Sequence, residues 1–241
     1  MKIQPTIIGI VFIISLFGIQ LTAQNNFHVN DQTPVIHAAC SGMGVESGWG
    51  AWTSRSGTNN SGVITLGSPG SPAAPGFNLT SGSGIDSCTP GTLPGSPVIP
   101  IVSPGFGNAS IQLGQLRTNG SSGSCSGGCV EQLSFPLTVT VQDTNFTFSY
   151  AMVMEDGGHS LADQPFVSIC IIEMNLDTIP CGYYKYRAGP AVPGSYQSSC
   201  NVNSVAYYKP WTTVGVNLSY YVGQTLNIVI TNADCGLGDH F

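Results

Sequence analysis

The fold of this chain is decided by two neighbouring stretches of sequence, LSFPLTVTV at residues 133–141 and FTFSYAMVM at residues 146–154. In both stretches large apolar residues alternate with residues that are mostly small or polar. A period of two places one set of side chains in the core and the other towards water, which is typical of a half-buried β-strand. Because a short polar turn, Asp143-Thr144-Asn145, separates the stretches, together they predict an antiparallel hairpin.

The next apolar run, residues 166–172, has large side chains on both sides and many β-branched residues. This composition predicts a central strand that is covered on both faces. Between this run and the hairpin lies the loop EDGGHSLADQP at residues 155–165, the densest group of charged and ligating side chains in a chain that is only 7% charged. We therefore expect a functional site to involve this loop.

Further short runs predict strands elsewhere in the chain, at residues 63–66, 98–102, 111–113, 212–218 and 226–230. The 31 glycines and 16 prolines argue against long helices. Residues 59–104 are dominated by Gly, Ser, Pro, Asn and Thr, and are expected to form extended surface loops. Many short antiparallel strands separated by turns predict an all-β fold, an antiparallel β-sandwich of jelly-roll type.

The N-terminus has the pattern of a signal peptide. Lys2 precedes an apolar run, and Leu21-Thr22-Ala23 ends in the small residue that signal peptidase requires. The apolar run is too short to indicate a membrane span. We predict a signal peptide over residues 1–23, an irregular leader over 24–39 and a single jelly-roll domain over 40–241. The expected location is secreted or at the cell surface, with no membrane insertion after cleavage.

The charge balance excludes some classes of partner. The chain has 6 basic and 12 acidic residues, and loss of Lys2 with the signal peptide leaves a net charge of −7. A chain this poor in Lys and Arg lacks the positive surface that nucleic acid or an anionic membrane requires. Neither is expected as a partner.

The 8 cysteines predict disulfides, because an exported chain folds in an oxidising compartment. Eight cysteines allow many pairings, so the sequence alone does not fix the connectivity. Cys125 and Cys129 flank a tight Ser-Gly-Gly turn and are the first predicted bridge; a metal site at this Cys-x3-Cys is the weaker alternative, because it lacks a second pair of ligands. Cys181 with Cys200 is the second predicted bridge.

The loop at residues 155–165 could hold a calcium ion. Calcium takes six to eight oxygen ligands, and glycines in a loop allow carbonyl oxygens to turn inward. The candidate ligands are the three carboxylates of the loop and two more that complete the set if the end of the last strand meets it: Glu155, Asp156, Asp163, Asp234 and Asp239. The alternative is a polar turn that Asp156 and His159 hold through hydrogen bonds to the backbone.

Catalysis is not expected. Asp156, His159 and Ser160 contain the atoms of a hydrolase triad, but three members within five residues rarely reach the geometry that a triad needs. The histidines are dispersed along the chain and form no zinc signature; they are His28, His37, His159 and His240.

Three tryptophans are candidates for ligand binding. Trp49 and Trp52 lie in a glycine-rich stretch and Trp211 begins a strand; tryptophans with open space around them can stack on sugar rings. The alternative is that they fill the end of the sandwich core. His159, in the charged loop, is the fourth candidate for contact with a ligand.

Two groups of motifs resemble known families. Residues 211–218 with 221–225 resemble a hairpin that is widespread in extracellular jelly-roll modules of the carbohydrate-binding and MAM-like type. Residues 150–156 with His159 and Gln164-Pro165, and residues 232–235 with His240-Phe241, resemble an adhesin-like domain of secreted Bacteroidota proteins. Its members often carry PKD repeats and a gliding-motility-associated C-terminal sorting domain. The resemblance covers roughly residues 48–241.

The resemblance implies a surface or secreted location and a binding role. Family members continue past the His-Phe pair into a further strand and further domains, so we expect the sandwich to lack its final strand and to belong to a longer parent chain. The predicted function is therefore a non-catalytic binding module for an extracellular glycan or surface protein, stabilised by calcium. The alternatives are an accessory domain of a larger secreted hydrolase and a structural spacer of a surface adhesin.

Overall fold

The computed structural model describes residues 45–73, 76–114, 128–142, 144–200, 204–237 and 240, and the backbone of residues 8–9, 12–17 and 116–117. Within these ranges the chain forms 14 strands and a single 3-10 turn at Ser219–Tyr221. No helix in the described ranges is long and apolar enough to cross a membrane. The predicted all-β fold class is confirmed.

Strands are numbered in chain order. The first sheet has six antiparallel strands in the order β11 (Thr178–Arg187), β10 (Phe166–Ile172), β14 (Thr225–Ala233), β8 (Gly128–Thr138), β3 (Thr53–Asn60) and β4 (Val63–Leu66). The strands predicted at residues 63–66 and 226–230 are therefore confirmed. Residues 98–102 contribute no strand, only an isolated bridge at Pro100.

The second sheet also has six antiparallel strands, in the order β12 (Tyr196–Gln197), β13 (Val205–Asn217), β9 (Asn145–Asp156), β2 (Phe12–Phe17), β6 (Ala109–Gly114) and β5 (Gly76–Ser81). A small third sheet pairs β1 (Ile8–Gly9) with β7 (Leu116–Arg117). Both β1 and β2 fall inside the segment that the sequence predicts as a signal peptide.

The main core lies between the two six-stranded sheets. Alternate residues of β8, β9 and β14 supply it. The predicted inward faces are confirmed except at Val141, which lies beyond the end of β8 and is 65% exposed. The fully buried side chains include Leu133, Phe148, Tyr150, Leu226 and Ile228. Burial of such side chains is the principal favourable term in folding. The chain is an antiparallel β-sandwich; the jelly-roll type and the missing final strand stay predictions.

The predicted hairpin between residues 133–141 and 146–154 is wrong. The two strands, β8 and β9, are consecutive in the chain but lie in opposite sheets, where β8 pairs with β14 and β9 pairs with β13. The same holds for β13 and β14, which the resemblance suggested as a hairpin. Alternation identifies the buried face of a strand, and two strands that face the same core satisfy it equally well from opposite sheets.

The outer face of β9 is covered as well. Ala151 and Val153 are buried there against Tyr208 of β13 and against Cys88 and Ile99. The stretch that contains Cys88 and Ile99 belongs to residues 59–104, which we expected to remain on the surface. In β10, predicted to be covered on both faces, the inward residues Val167, Ile169 and Ile171 are buried, and the other face is buried at Phe166 and half-buried from Ser168 onwards.

The disulfides differ from the prediction. Cys200 is bonded to Cys88, 112 residues earlier, and not to Cys181, which is an exposed thiol. The predicted Cys181–Cys200 bridge is wrong, because Cys181 lies on β11 in the other sheet. Cys129 is disulfide-bonded, but Cys125 lies outside the described residues, so that bridge stays a prediction.

Candidate functional site

The charged loop meets the end of the last strand. Phe166, the first residue of β10, lies opposite Ala233, the last residue of β14, in an antiparallel register. The residues that precede β10 and those that follow β14 therefore emerge at the same end of the sheet. Gly236 N donates a hydrogen bond to Asp163 O at 2.8 Å and joins the two segments. We call residues 155–165 together with 234–240 the junction.

The carboxylates of the loop are acceptors for the loop itself. Asp156 Oδ1 accepts hydrogen bonds from Gly158 N at 2.9 Å and from Gln164 Nε2 at 2.6 Å. Asp163 Oδ2 accepts from Ser160 Oγ at 2.6 Å, and its Oδ1 has no hydrogen-bond partner among the described residues. These contacts fit the alternative of a hydrogen-bonded turn.

Two of the remaining predicted calcium ligands are buried in the fold. Glu155 is fully buried and its Oε1 accepts from Ser204 N at 2.6 Å. Asp234 is buried, with its backbone N donating to Cys129 O and its O accepting from Asn59 Nδ2, both at 2.8 Å. Asp239 lies outside the described residues. In the described part of the chain these carboxylates form no group of three with converging ligand atoms, and calcium binding stays a prediction.

A different group of ligating side chains converges at the junction. His159, Cys235 and His240 place their ligand atoms within 4.8 Å of one another, with Cys235 buried and both histidines half-buried. His159 Nε2 and His240 Nδ1 are 3.3 Å apart. This group was not apparent from the sequence because His159 and His240 are 81 residues apart. Only the pairing of β10 with β14 brings them together.

The residues of the suggested triad do not form one. Ser160 Oγ donates to Asp163 rather than to the imidazole, and His159 contacts His240. Asp156 is engaged with the backbone of Gly158 and with Gln164. The arrangement therefore lacks the hydroxyl–imidazole–carboxylate relay that nucleophilic catalysis needs.

The tryptophans are packed against the protein. Trp52 is 3% exposed and its ring centroid lies 5.2 Å from that of Phe135 in the core, so its prediction as a stacking platform is wrong. Trp49 packs against the same core while half-buried. Trp211 donates from Nε1 to Pro100 O at 2.8 Å and packs against the cluster around Cys88. These positions favour the alternative in which tryptophans fill the ends of the fold.

A pocket of about 400 Å³ lies beside the junction. Leu161 of the charged loop lines one side, and the end of β11 with the segment that follows it lines the rest: Lys185, Tyr186, Arg187, Ala188, Gly189, Ala191, Val192 and Pro193. We call it the basic pocket. These residues are not recognisable from the sequence, because neither Lys185 nor Arg187 stands in a motif.

Both cations of the basic pocket rest on one aromatic ring. Lys185 and Arg187 are two apart on a strand and share a face, and Lys185 Nζ lies 3.6 Å and Arg187 Cζ 5.7 Å from the centroid of Phe166. Burial, and then repulsion from Arg187, lower the pKa of Lys185 below its ordinary value. The cations therefore lie in a partly desolvated setting where an added negative charge is favourable.

A third cation stands at the rim of the pocket. Lys209 Nζ donates to Pro193 O at 2.6 Å, and burial lowers the pKa of Lys209. On the opposite side, Tyr150 donates its hydroxyl hydrogen to Tyr186 OH at 2.7 Å, and the two rings stack with centroids 5.5 Å apart. Half of the chain's 6 basic residues are thus on or beside this pocket.

Comparison with known proteins finds no match to a family model, to a curated protein or to a solved structure.

Proposed function

We propose that the protein is a non-catalytic extracellular binding module whose ligand is an acidic glycan, held in the basic pocket. One observation carries this proposal. Lys185 and Arg187, which lie two residues apart on one edge strand, line a pocket of about 400 Å³. The chain that carries them has twice as many acidic as basic residues.

The charge of the pocket selects the ligand. Two cations that share a face repel each other, and a carboxylate between them relieves that repulsion while gaining charge-assisted hydrogen bonds. Arginine presents a planar fork of donors that matches a carboxylate in a bidentate manner. Acidic residues outnumber basic ones two to one in the chain, so an anionic ligand is attracted to this patch more than to the rest of the surface.

The shape and lining of the pocket suit a sugar. Ligand pockets usually measure about 300–1,000 Å³, with an apolar lining and a few polar groups that fix the orientation of the ligand. Here Leu161, Val192 and Pro193 supply apolar contact. Tyr186 faces the core, where it stacks on Tyr150 and accepts its hydrogen bond, and so fixes the strand that carries the two cations.

This proposal keeps the binding role that the resemblance to adhesin-like domains implies. An accessory domain of a larger hydrolase would use the same pocket to hold the substrate polysaccharide. A structural spacer would have no use for a cationic pocket. Ligand binding at Lys185 and Arg187 therefore distinguishes a spacer from a binding module and from an accessory domain.

A glycan array tests the proposal when it is run with variants that each lose one positive charge. We expect the secreted protein to retain acidic glycans and to release them as ionic strength rises. Lys185→Ala or Arg187→Ala should weaken binding by about 10- to 100-fold, since a hydrogen bond to a charged group is worth about 1.5–3 kcal/mol. Arg55→Ala removes an exposed cation from β3 and should leave binding unchanged. Equal loss in all three variants, or preference for neutral glycans, would overturn the proposal.

A further inference from the structure

We propose that His159, Cys235 and His240 form a zinc site at the junction, independent of the glycan-binding function. The three side chains come from two segments that are distant in sequence, and their ligand atoms converge to within 4.8 Å of one another. The strands that adjoin the two segments, β10 and β14, pair with each other. The group is therefore attached to rigid elements.

The spacing of the two imidazoles fits tetrahedral coordination. Zinc lies about 2.0–2.1 Å from each histidine nitrogen, so two nitrogens on one tetrahedral zinc are separated by about 3.3–3.4 Å. Nitrogens at neighbouring corners of a square-planar site would be only about 2.9 Å apart. His159 Nε2 and His240 Nδ1 are separated by 3.3 Å, which matches the tetrahedral value.

The ligand set selects the metal. Two imidazole nitrogens and one thiolate suit zinc, whereas calcium and magnesium require oxygen ligands. Leu237 N donates to Cys235 Sγ at 3.3 Å, and this contact helps to hold the sulfur in position. Because a zinc-bound sulfur and nitrogen lie about 3.6 Å apart and the ligand atoms are within 4.8 Å of one another, the sulfur needs to approach by no more than about 1.2 Å. The fourth position would hold water.

The surroundings hold the three ligands in place. Cys235 N donates to His240 O at 3.1 Å, which ties these two ligand residues together. Gly157 packs directly on the imidazoles: a Cβ there would lie 2.6 Å from His159 Cδ2 and 2.7 Å from His240 Nδ1. The absence of a side chain at Gly157 thus allows the two rings to approach each other.

The competing account is a hydrogen bond between two neutral imidazoles. In that case one ring nitrogen is protonated and the other accepts, and Cys235 plays no part. Zinc needs an unprotonated nitrogen from each ring as well as the thiolate, so metal loading and the involvement of the thiol distinguish the two accounts.

Equilibrium dialysis of the full chain against zinc, after treatment with a chelator, tests the site. We expect about one zinc ion per chain in the parent, and occupancy close to zero in His159→Ala and in His240→Ala, because only two of the three protein ligands then remain. Cys181→Ser, which removes an exposed thiol on β11, is the control and should retain full occupancy. Calcium in excess should not compete.

Cobalt(II), used as a spectroscopic substitute, tests the thiolate directly. The parent should show a sulfur-to-cobalt charge-transfer absorption that Cys235→Ser abolishes. Because Cys235 is buried and its replacement can disturb folding, Gly157→Ala provides a second arm. It keeps all three ligand residues, but its methyl group would displace the two imidazoles and should weaken zinc binding at least about 10-fold. A parent that binds no zinc, equal occupancy in His240→Ala, or binding of copper(II) alone would each overturn the proposal. None of these results would affect glycan binding at Lys185 and Arg187.

Discussion

At the scale of single residues, the few charged side chains of this protein have defined structural partners. Asp156 is the clearest case, because its Oδ1 accepts hydrogen bonds from the backbone N–H of Gly158 and from the side-chain amide of Gln164. A polar group that loses its partner in a partly buried site costs about 1–3 kcal/mol. The acidic loop therefore has a structural role whether or not it also binds a cation.

Replacement of Asp156 tests this role and the calcium prediction together. Asp156→Ala should lower the free energy of unfolding by about 1–3 kcal/mol, because two donors lose their acceptor. Urea denaturation in chelator measures the loss, with the exposed Asp177→Ala as the control. Calcium on the carboxylates would instead add stability to the parent, about 2.7 kcal/mol at a hundredfold excess over its dissociation constant. Stabilisation by calcium that disappears in Asp156→Ala would establish the ion.

Asp86 makes the stability depend on pH. It is 7% exposed; burial raises its pKa above the ordinary value of 3.8, and the hydrogen bond from Cys88 N opposes that shift. The folded state therefore binds this proton more tightly than the unfolded state, so this group's contribution to stability falls as the pH rises from 3.8 through the folded pKa.

Replacement of Asp86 by its neutral analogue should reverse that loss. Asp86→Asn keeps an oxygen that accepts from Cys88 N, so we expect it to be more stable than the parent at pH 7. The advantage should disappear below pH 3.8, where the parent carboxyl is protonated in both states. Urea denaturation at the two pH values measures the difference. A variant that is less stable than the parent at pH 7 would show that the ionised form is favoured in the fold.

At the scale of the elements, the strands and their buried faces were predicted well from the sequence, but the pairing of strands was predicted poorly. The alternation of residues 133–154 identified the core side chains of β8 and β9, because burial depends on the local pattern alone. It could not indicate that β8 and β9 lie in opposite sheets, since strand pairing is decided by strands that are distant in sequence. For the same reason the predicted Cys181–Cys200 bridge was wrong and the group of His159, Cys235 and His240 was not predicted.

The bridge between Cys88 and Cys200 anchors the segment over β9. It closes a loop of 112 residues, and a loop of this length restricts the unfolded chain strongly. Replacing both cysteines by serine should lower the free energy of unfolding by about 2–5 kcal/mol, measured in urea. Cys181→Ser should have no comparable effect, because that thiol is exposed and outside any disulfide. A double variant as stable as the parent would show that the segment packs without the bridge.

The strand β2 links the fold to the predicted signal peptide. It lies between β9 and β6, with Ile14 opposite both Tyr150 and Ile111. Cleavage after Ala23 would remove it and leave two strands with unpaired edges, which favour association. We expect residues 24–241 to bind a peptide of residues 10–19, carrying terminal lysines for solubility, by strand addition.

The melting temperature of residues 24–241, with and without that peptide, tests whether the peptide binds as the missing strand. The native peptide should raise it, while a scrambled peptide without the period-two alternation should not. Light scattering should also show association of residues 24–241 that the native peptide suppresses. A monomeric chain indifferent to both peptides would mean that β9 and β6 need no strand between them.

At the scale of the whole molecule, the composition and turn pattern were sufficient for the fold class. Gly, Pro and short alternating runs leave few options besides stacked antiparallel sheets. The basic pocket was beyond sequence reasoning, because it arises where the end of β11 and the segment after it meet Leu161 of a distant loop. Neither Lys185 nor Arg187 is unusual in its local sequence. Their significance comes from being together in a chain with so few cations.

The central claim, that the basic pocket holds an acidic glycan, depends on the negative charge of the ligand. Calorimetric titration should therefore compare an acidic oligosaccharide with the same compound after its carboxylates are reduced to alcohols, which preserves shape and removes charge. We predict that the reduced compound binds at least about 10-fold more weakly, as loss of charge-assisted hydrogen bonds requires. Equal affinity for the two compounds would contradict the account.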